Sequence, residues 1–467
     1  MNSIENNNII AAISTPAGVG GIAVIRLSGK GCIELVDAVF KSATGKKLLE
    51  QKANTIHFGS ILKDGAVLDE VLVSVFKTPH SFTGEDSVDV PFHGSVFIQQ
   101  SILQLLIRQG ASLARPGEFT QRAFINGKMD LSQAESVADL IASTSAATHR
   151  LAMNQMRGGI SNKLIELRTE LLNFVSLVEL ELDFSEEDVE FANRDNLKKS
   201  AKEIKDHIQK LADSFSIGNA VKTGIPVAII GETNAGKSTL LNLLLQEEKA
   251  IVSDIHGTTR DVIEDTIVIQ GLTFRLIDTA GIRDTEDEIE SIGIERTFKK
   301  LDQASIVLWI IDSTAGEEHI RELSEKILPR ITDQKLILVF NKIDVVGCGV
   351  VMDKKRTVIE DKAPDRIFIS AKYEDGIADL QNRLVQAANI PDIGEQDVIV
   401  TNIRHYEALE KASEAIGRVM EGLDAGISGD FLAQDIRECM HYLGEITGQI
   451  STDEVLGNIF GRFCIGK

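Results

Sequence analysis

The chain has 467 residues, 43% of them hydrophobic and 25% charged, which is enough for two or three domains, each with a buried core. A formal net charge of -21 excludes a protein whose whole surface grips nucleic acid, because that grip comes from Lys and Arg neutralising phosphates; RNA is expected at a local basic patch or on a more basic partner. No apolar run reaches the roughly 18 residues that span a bilayer, "MNSIENNN" has no basic residue ahead of an apolar stretch, and Cys32, Cys348, Cys439 and Cys464 show no C-x-x-C spacing, so a cytoplasmic protein with free thiols and no membrane is expected.

From Asn8 to about Pro91, short β-branched runs alternate with turn residues in "IAVIRLS", "TIHFGSIL", "EVLVSVFKTP" and "DSVDVPF", which predicts strands. A helix is predicted at "SVFIQQSILQLLIRQG", so residues 1–122 read as a small α+β domain. From about Asp130 to Phe184 apolar residues recur at three and four positions with few Gly or Pro, the pattern of long helices. The acidic "ELELDFSEEDVEF" that follows reads as a solvated stretch rather than a metal site. At "GIPVAIIGETNAGKSTLLNLLL" a run of β-formers enters a glycine-containing loop and leaves as a Leu-rich helix. Further strands are predicted at "TFRLID", "SIVLWIID", "KLILVF" and "RIFIS", separated by helical stretches, so residues 223–388 read as a parallel-rich α/β domain. Helical texture returns after "NIPDIG" and matches the segment before Gly224. Residues 123–222 and 389–467 are therefore expected to form one discontinuous helical domain into which the α/β domain is inserted.

"GETNAGKS", Gly231 to Ser238, fits G-x-x-x-x-G-K-[ST] between a strand and a helix. Backbone N–H groups through Asn234, Ala235 and Gly236 and on to Thr239 are suited to wrap a phosphate, Lys237 to reach β and γ oxygens, and Ser238 to ligate Mg²⁺. "DTAG" follows a strand and offers the Asp278 carboxylate near the metal and flexible backbone at Thr279, Ala280 and Gly281 near a γ-phosphate. "GTTRD" offers Thr259 as a second Mg²⁺ hydroxyl. "NKID" carries Asn341, Lys342 and Asp344, whose carboxylate can accept from guanine N1–H and the N2 amine; adenine has neither donor there. "SAK", Ser370, Ala371 and Lys372, supplies a backbone contact to guanine O6. Ile282 stands where Ras-type GTPases carry the glutamine that orients water, and no arginine finger is evident. That finger is worth about 10³ to 10⁵ in rate, so hydrolysis here is slow or uses another cation. A carboxylate of "RDTEDEIESIGIE" is available to position water, although most of that stretch reads as a solvated loop.

These motifs, with "TPAGVGGIAVIRLSG", "SFTGEDSVDV", "RPGEFTQRAFINGKMDLSQAE", "DTAGIRDTEDEIESIGIER" and the terminal "FCIGK", make the chain resemble, over essentially its full length, the bacterial tRNA modification GTPase family called MnmE or TrmE. The resemblance implies a multidomain α/β protein: an N-terminal α+β folate-binding-like and dimerisation domain, an α-helical domain, and an inserted Ras-like P-loop GTPase domain. It implies a K⁺ ion in place of the arginine finger, held by Asn234 and by Ser253, Ile255 and Thr258 of the K-loop "SDIHGT", with Glu290 orienting the water. Thr233, where proline is common, and His256, where a small residue is frequent, depart from the pattern and bear on K⁺ affinity. Arg26, Glu85, Lys128 and Lys467 match the positions that bind a 5-formyl-tetrahydrofolate; a pterin edge wants a carboxylate for its N–H groups and a glutamyl tail wants Arg or Lys, although each residue taken alone reads as a surface charge. The tail is implied to fold back toward that pocket, with Cys464 either a nucleophile or redox group or a small buried hydrophobe that seats it.

The implied activity is K⁺-activated, Mg²⁺-dependent GTP hydrolysis by a homodimer. With the FAD-carrying flavoprotein MnmG (GidA), in a heterotetramer, it would add an aminomethyl or carboxymethylaminomethyl group to C5 of the wobble uridine of tRNAs held largely by the partner. A ribosome-associated GTPase switch is the first alternative, but no basic appended segment is visible and the first 120 or so residues would be unexplained. A folate-dependent one-carbon transferase with a regulatory GTPase is the second.

Overall fold

Alternating apolar and polar side chains build the first of two sheets in a computed structural model of the chain, which describes residues 8–183, 194–248, 265–277, 301–346, 365–391, 394, 397–461 and 463–466. Its strands are β1 (Ile10–Ile13), β2 (Gly20–Ser28), β3 (Phe40–Ser42), β4 (Thr55–Lys63), β5 (Ala66–Phe76), β6 (Ser87–Gly94) and β7 (Ser112–Leu113), in the order β3-β4-β5-β6-β2-β1-β7. Neighbours run antiparallel except β1 and β7, which are parallel. The helix α1 (Cys32–Asp37) follows β2, and α2 (Val96–Arg108) follows β6. Ile102 and Leu106 of α2 share a core with Ile25, Leu27, Val73, Val75, Val88 and Val90. The strand β1 is a structural finding: "IAAI" sits inside the sheet with Ile10, Ala11 and Ala12 fully buried, and its two alanines carry little strand propensity.

Five helices follow: α3 (Glu118–Ile125), α4 (Leu131–Ala142), α5 (Ala146–Met156), α6 (Gly159–Asp183) and α7 (Arg194–Thr223). The second sheet comprises β8 (Ile225–Gly231), β9 (Asp265–Ile269), β10 (Leu272–Leu276), β11 (Ile306–Asp312), β12 (Lys335–Asn341) and β13 (Asp365–Phe368), in the order β13-β12-β11-β8-β10-β9. All pairs are parallel except the β9–β10 hairpin. Its helices are α8 (Lys237–Glu248), α9 (Glu317–Ile327), α10 (Ile343–Val346) and α11 (Ile377–Ala388), and the chain closes with α12 (Ile403–Ala425), α13 (Gly429–Thr447) and α14 (Asp453–Phe460).

Helices on both faces explain why the central strands read as unbroken apolar runs. Val227, Ile229, Leu308 and Ile310 face Leu240, Leu241 and Leu244 of α8, while Ala228, Ile230, Val307 and Trp309 enter the opposite core with Phe340. The described residues fall into two compact units. One comprises Met1–Ile141, Gln155–Ile208 and Ala408–Lys467, in which α6 lies along α13; the other comprises Ala142–Asn154 and Gln209–Glu407. Among the described residues no helix is long and apolar enough to cross a membrane. Cys32 and Cys439 are buried free thiols, and burial pushes Cys439 up to about 12 and Cys32 higher still.

Candidate functional site

The apolar strand β8 delivers the loop Glu232–Gly236 to the first turn of α8, where the N–H groups of a helix start and the positive end of the helix dipole favour an anion. Asn234 sits at the exposed loop tip with φ 65°, a left-handed conformation that Asn tolerates better than most side chains. Lys237 folds back over the loop, donating from Nζ to the Gly231 and Glu232 carbonyls at 2.7 and 2.5 Å. Ser238 and Thr239 are exposed beside it. Glu232 also pairs with His319 of α9.

Asn341, at the end of β12 and 3% exposed, joins this loop to the next. Its Nδ2 donates to the Ala235 carbonyl at 2.8 Å, and its Oδ1 accepts from the Ala371 N–H at 3.0 Å. Gly236 permits this contact, since a Cβ there would stand 2.1 Å from Asn341 Nδ2. On the same side, Ser370 donates to Asp344 Oδ1 at 2.7 Å and holds an exposed carboxylate in place. Lys372 is exposed, with its Nζ 5.0 Å from the Tyr373 ring centroid.

Asp312, which the sequence reading did not single out, ends β11 and accepts from Lys342 Nζ at 2.7 Å and from the N–H and hydroxyl of Thr314 at 2.8 and 2.7 Å. Burial pushes its carboxyl up, but the Lys342 and Thr314 hydrogen bonds outweigh burial and hold it below the usual aspartate range. The signal was a carboxylate two residues before a threonine at a strand end, an Asx-type turn. The ends of β8, β12 and β13 thus gather Asn234 to Ser238, Asn341 to Asp344 and Ser370 to Lys372, the edge where parallel sheets bind ligands. Ser253, Ile255, His256, Thr258, Thr259, Asp278, Thr279, Ala280, Gly281, Ile282 and Glu290 lie outside the described residues, as does Lys467. Among the described residues no three His, Cys, Asp or Glu side chains form a metal cluster.

A second polar site lies in the first unit. Glu85 Oε2 accepts from Ser28 Oγ at 2.8 Å and from Arg122 at 3.1 Å. The Arg122 guanidinium is buried and also donates to Glu118 at 3.0 Å, to the Asn8 carbonyl at 3.1 Å and to Asn8 Oδ1 at 2.8 Å. Arg115 closes the chain of charges on Glu118 at 3.3 Å. Burial alone would push the Glu118 carboxyl up, but the Arg115 N–H and both guanidinium groups hold it below the usual glutamate range. The Lys128 stem packs beside Gly84, next to Glu85, and its Nζ donates to the Pro79 carbonyl at 3.0 Å. Arg26 is committed elsewhere: Nε and Nη2 make a bidentate pair with Asp89 at 2.8 Å each, 5.6 Å over the Phe82 ring. That pairing leaves Nη1 as its remaining guanidinium nitrogen for an anion.

The C-terminal tail meets this unit at β1. Ile465 bridges Pro116, Gly117 N–H donates to the Cys464 carbonyl at 3.4 Å, and Ser14 donates to the Gly466 carbonyl at 3.1 Å. Gly466 has φ 93°, and a Cβ there would stand 2.4 Å from the Ile13 carbonyl, so a glycine is needed for this approach. Phe463 and Phe460 are the buried anchors, in a cluster with Leu131 and Ala134. Cys464 is exposed, as is Ile465 beside it, which corrects the alternative of a buried hydrophobe: Phe463 and Phe460 do the seating.

Two sequence profiles and the relatives named below agree on one family. The sequence profile described as the MnmE helical domain matches residues 131–464, and that of the GTP-binding protein TrmE N-terminus matches residues 9–128. The tRNA modification GTPase MnmE of Bacteroides thetaiotaomicron is 59% identical over 467 residues, covering 99% of this chain and 100% of the relative. That of Bacteroides fragilis is 60% identical over 465 residues with the same coverage, and that of Flavobacterium johnsoniae is 51% identical over 466 residues, again 99% and 100%.

Proposed function

The chain belongs to the tRNA modification GTPase MnmE family, and from that premise we propose that it is a cytoplasmic GTP hydrolase that modifies C5 of the wobble uridine in certain tRNAs. The observation that carries the nucleotide reading is Asn341, one buried side chain that ties the phosphate loop at Ala235 to the guanine loop at Ala371. Asp344, steadied by Ser370, is the carboxylate that selects guanine, and Asp312 steadies Lys342 beside it. Lys237 answers the phosphate charge. Ser238 and Thr259 would hold Mg²⁺, and Asn234 with Ser253, Ile255 and Thr258 would hold K⁺; bound there, the two cations supply positive charge to a phosphoryl group in transfer. The exposed, left-handed Asn234 fits that role, because its amide is free of the loop's own carbonyls and faces solvent. Glu290 would orient the water.

In the first unit Arg26, Glu85, Lys128 and Lys467 would hold a 5-formyl-tetrahydrofolate or related tetrahydrofolate as the one-carbon source. The residues fit: Glu85 Oε1 has no hydrogen-bond partner among the described residues, and Lys128 has spent one of three donors. The chain would act as a homodimer with an FAD-dependent partner of the MnmG (GidA) kind, which would hold most of the tRNA, consistent with the net charge of -21. The domain organisation of this reading is residues 1–122, 123–222 with 389–467, and 223–388.

GTP hydrolysis in K⁺ and in Na⁺ at matched ionic strength, for wild type and Asn234→Ala, tests the cation assignment. A K⁺-specific stimulation lost in the variant is expected. Equal rates in the two salts would overturn it.

A further inference from the structure

We propose that Arg122 is a positioning residue of the folate site: with Ser28 it occupies one oxygen of the Glu85 carboxylate and so aims the other at the N–H edge of the ligand. This rests on the folate reading above and deepens it. Both lone-pair sites of Glu85 Oε2 are taken, by Ser28 Oγ at 2.8 Å and by Arg122 Nη1 at 3.1 Å, whereas Oε1 has no partner among the described residues. A carboxylate pinned at one oxygen has a single free acceptor in a fixed direction, which suits recognition of an N–H donor.

The cluster is built so that solvent reaches it at Glu85. The Glu85 side chain is 19% exposed, against 2% for Arg122 and 5% for Glu118. The backbone beneath is held as well: Thr83 accepts from Glu85 N–H at 3.3 Å, its hydroxyl pairs with Ser28 at 2.7 Å, and its carbonyl accepts from Asn126 at 2.8 Å. Arg122 itself cannot swing away. Its Nη2 is shared between Glu118 and Asn8 Oδ1, and its Nη1 between Glu85 and the Asn8 carbonyl. A buried guanidinium is weak evidence for stability, because well-packed apolar groups of similar volume commonly serve as well or better. An oriented carboxylate is what apolar packing cannot supply.

The test is calorimetric titration of the full-length protein with (6S)-5-formyl-tetrahydrofolate and with an analogue lacking the 2-amino group. The variants are Glu85→Gln, Arg122→Met, Arg122→Lys and Ser28→Ala, with far-UV circular dichroism and the thermal unfolding of the full-length protein as the folding control, because the cluster and the phosphate loop belong to different compact units. Arg122→Met is expected to weaken binding about tenfold or more, the loss of one aimed charge-assisted hydrogen bond. It is also expected to lose most of the preference for the 2-amino compound. Arg122→Lys should regain part of both, and Ser28→Ala should weaken binding while keeping a wild-type thermal unfolding profile. If Glu85→Gln binds like wild type, the folate reading fails and this inference with it. If Glu85→Gln is weak but Ser28→Ala and a folded Arg122→Met bind and discriminate like wild type, the positioning role alone is overturned. Should Arg122→Met not fold, Ser28→Ala and Arg122→Lys decide the matter by the same two readouts.

Discussion

Truncating Asn341 to alanine should damage the α/β unit and its nucleotide site together. The side chain is 3% exposed and serves the Ala235 carbonyl and the Ala371 N–H, which belong to residues that are 1% and 4% exposed. Each buried group left unpaired costs about 1–3 kcal/mol, so the pair costs about 2–6 kcal/mol, with water entering the vacated space placing the outcome toward the low end. Trp309, the one tryptophan of the chain, is 1% exposed on β11 and paired with Leu338 and Ile230 of the neighbouring strands, so its fluorescence reports this unit. At a urea slope of about 1–3 kcal/mol per molar, a loss of about 2 kcal/mol moves the unfolding midpoint down by about 1 M. Because the same side chain ties together the two loops proposed to hold phosphate and guanine, GDP affinity should fall about 30-fold or more. A midpoint and a GDP affinity both indistinguishable from wild type would show that the Asn341 clamp supports neither the fold nor the site.

Gly466→Ala should release the tail, since the added Cβ meets the Ile13 carbonyl at 2.4 Å; hydrogen exchange at the Gly117 amide, which donates to Cys464, should quicken about tenfold or more, and unchanged exchange would contradict the contact. Glu118→Gln should destabilise the first unit at neutral pH, as a carboxylate held by two guanidinium groups is lost. Its folded-state carboxyl titrates below the ordinary 4.5, so its stabilisation is present above that value and is lost as pH falls through the lower folded value. The gap between wild type and variant in denaturation should therefore narrow on acidification below about 4.5. A gap constant down to pH 3 would be the contrary result.

Local patterns were legible where the chain announces itself locally. The runs "SIVLWIID" and "KLILVF" became β11 and β12 because a parallel strand covered on both faces must be apolar at every position, and "GETNAGKS" fell between strand and helix as its glycines and lysine require. What escaped depends on partners distant in sequence. Arg26 taken alone reads as a surface charge, and its fork on Asp89, 63 residues away, is not written in its neighbours. Arg122 lies in "EFTQRAFI" with nothing to mark it, and its burial follows from Asn8 and Glu85, 114 and 37 residues away. Asn341 was expected from its motif, yet its clamp joins residues 106 and 30 positions off, which no local spacing encodes. Cys464 was left open between chemistry and packing, and its exposure goes with the burial of Phe463 against Leu131, a residue far away in the sequence.

GTP turnover at the Lys237 loop is proposed to serve wobble-uridine modification, and that link can be tested directly. The chain should be combined with the flavoprotein partner, GTP, K⁺, Mg²⁺, a tetrahydrofolate one-carbon donor, an amino donor and unmodified tRNA, and the wobble nucleoside then weighed by mass spectrometry. A C5-modified uridine is expected with wild type and unmodified uridine with Lys237→Ala. Unmodified uridine with a wild-type chain that is turning over GTP would contradict it.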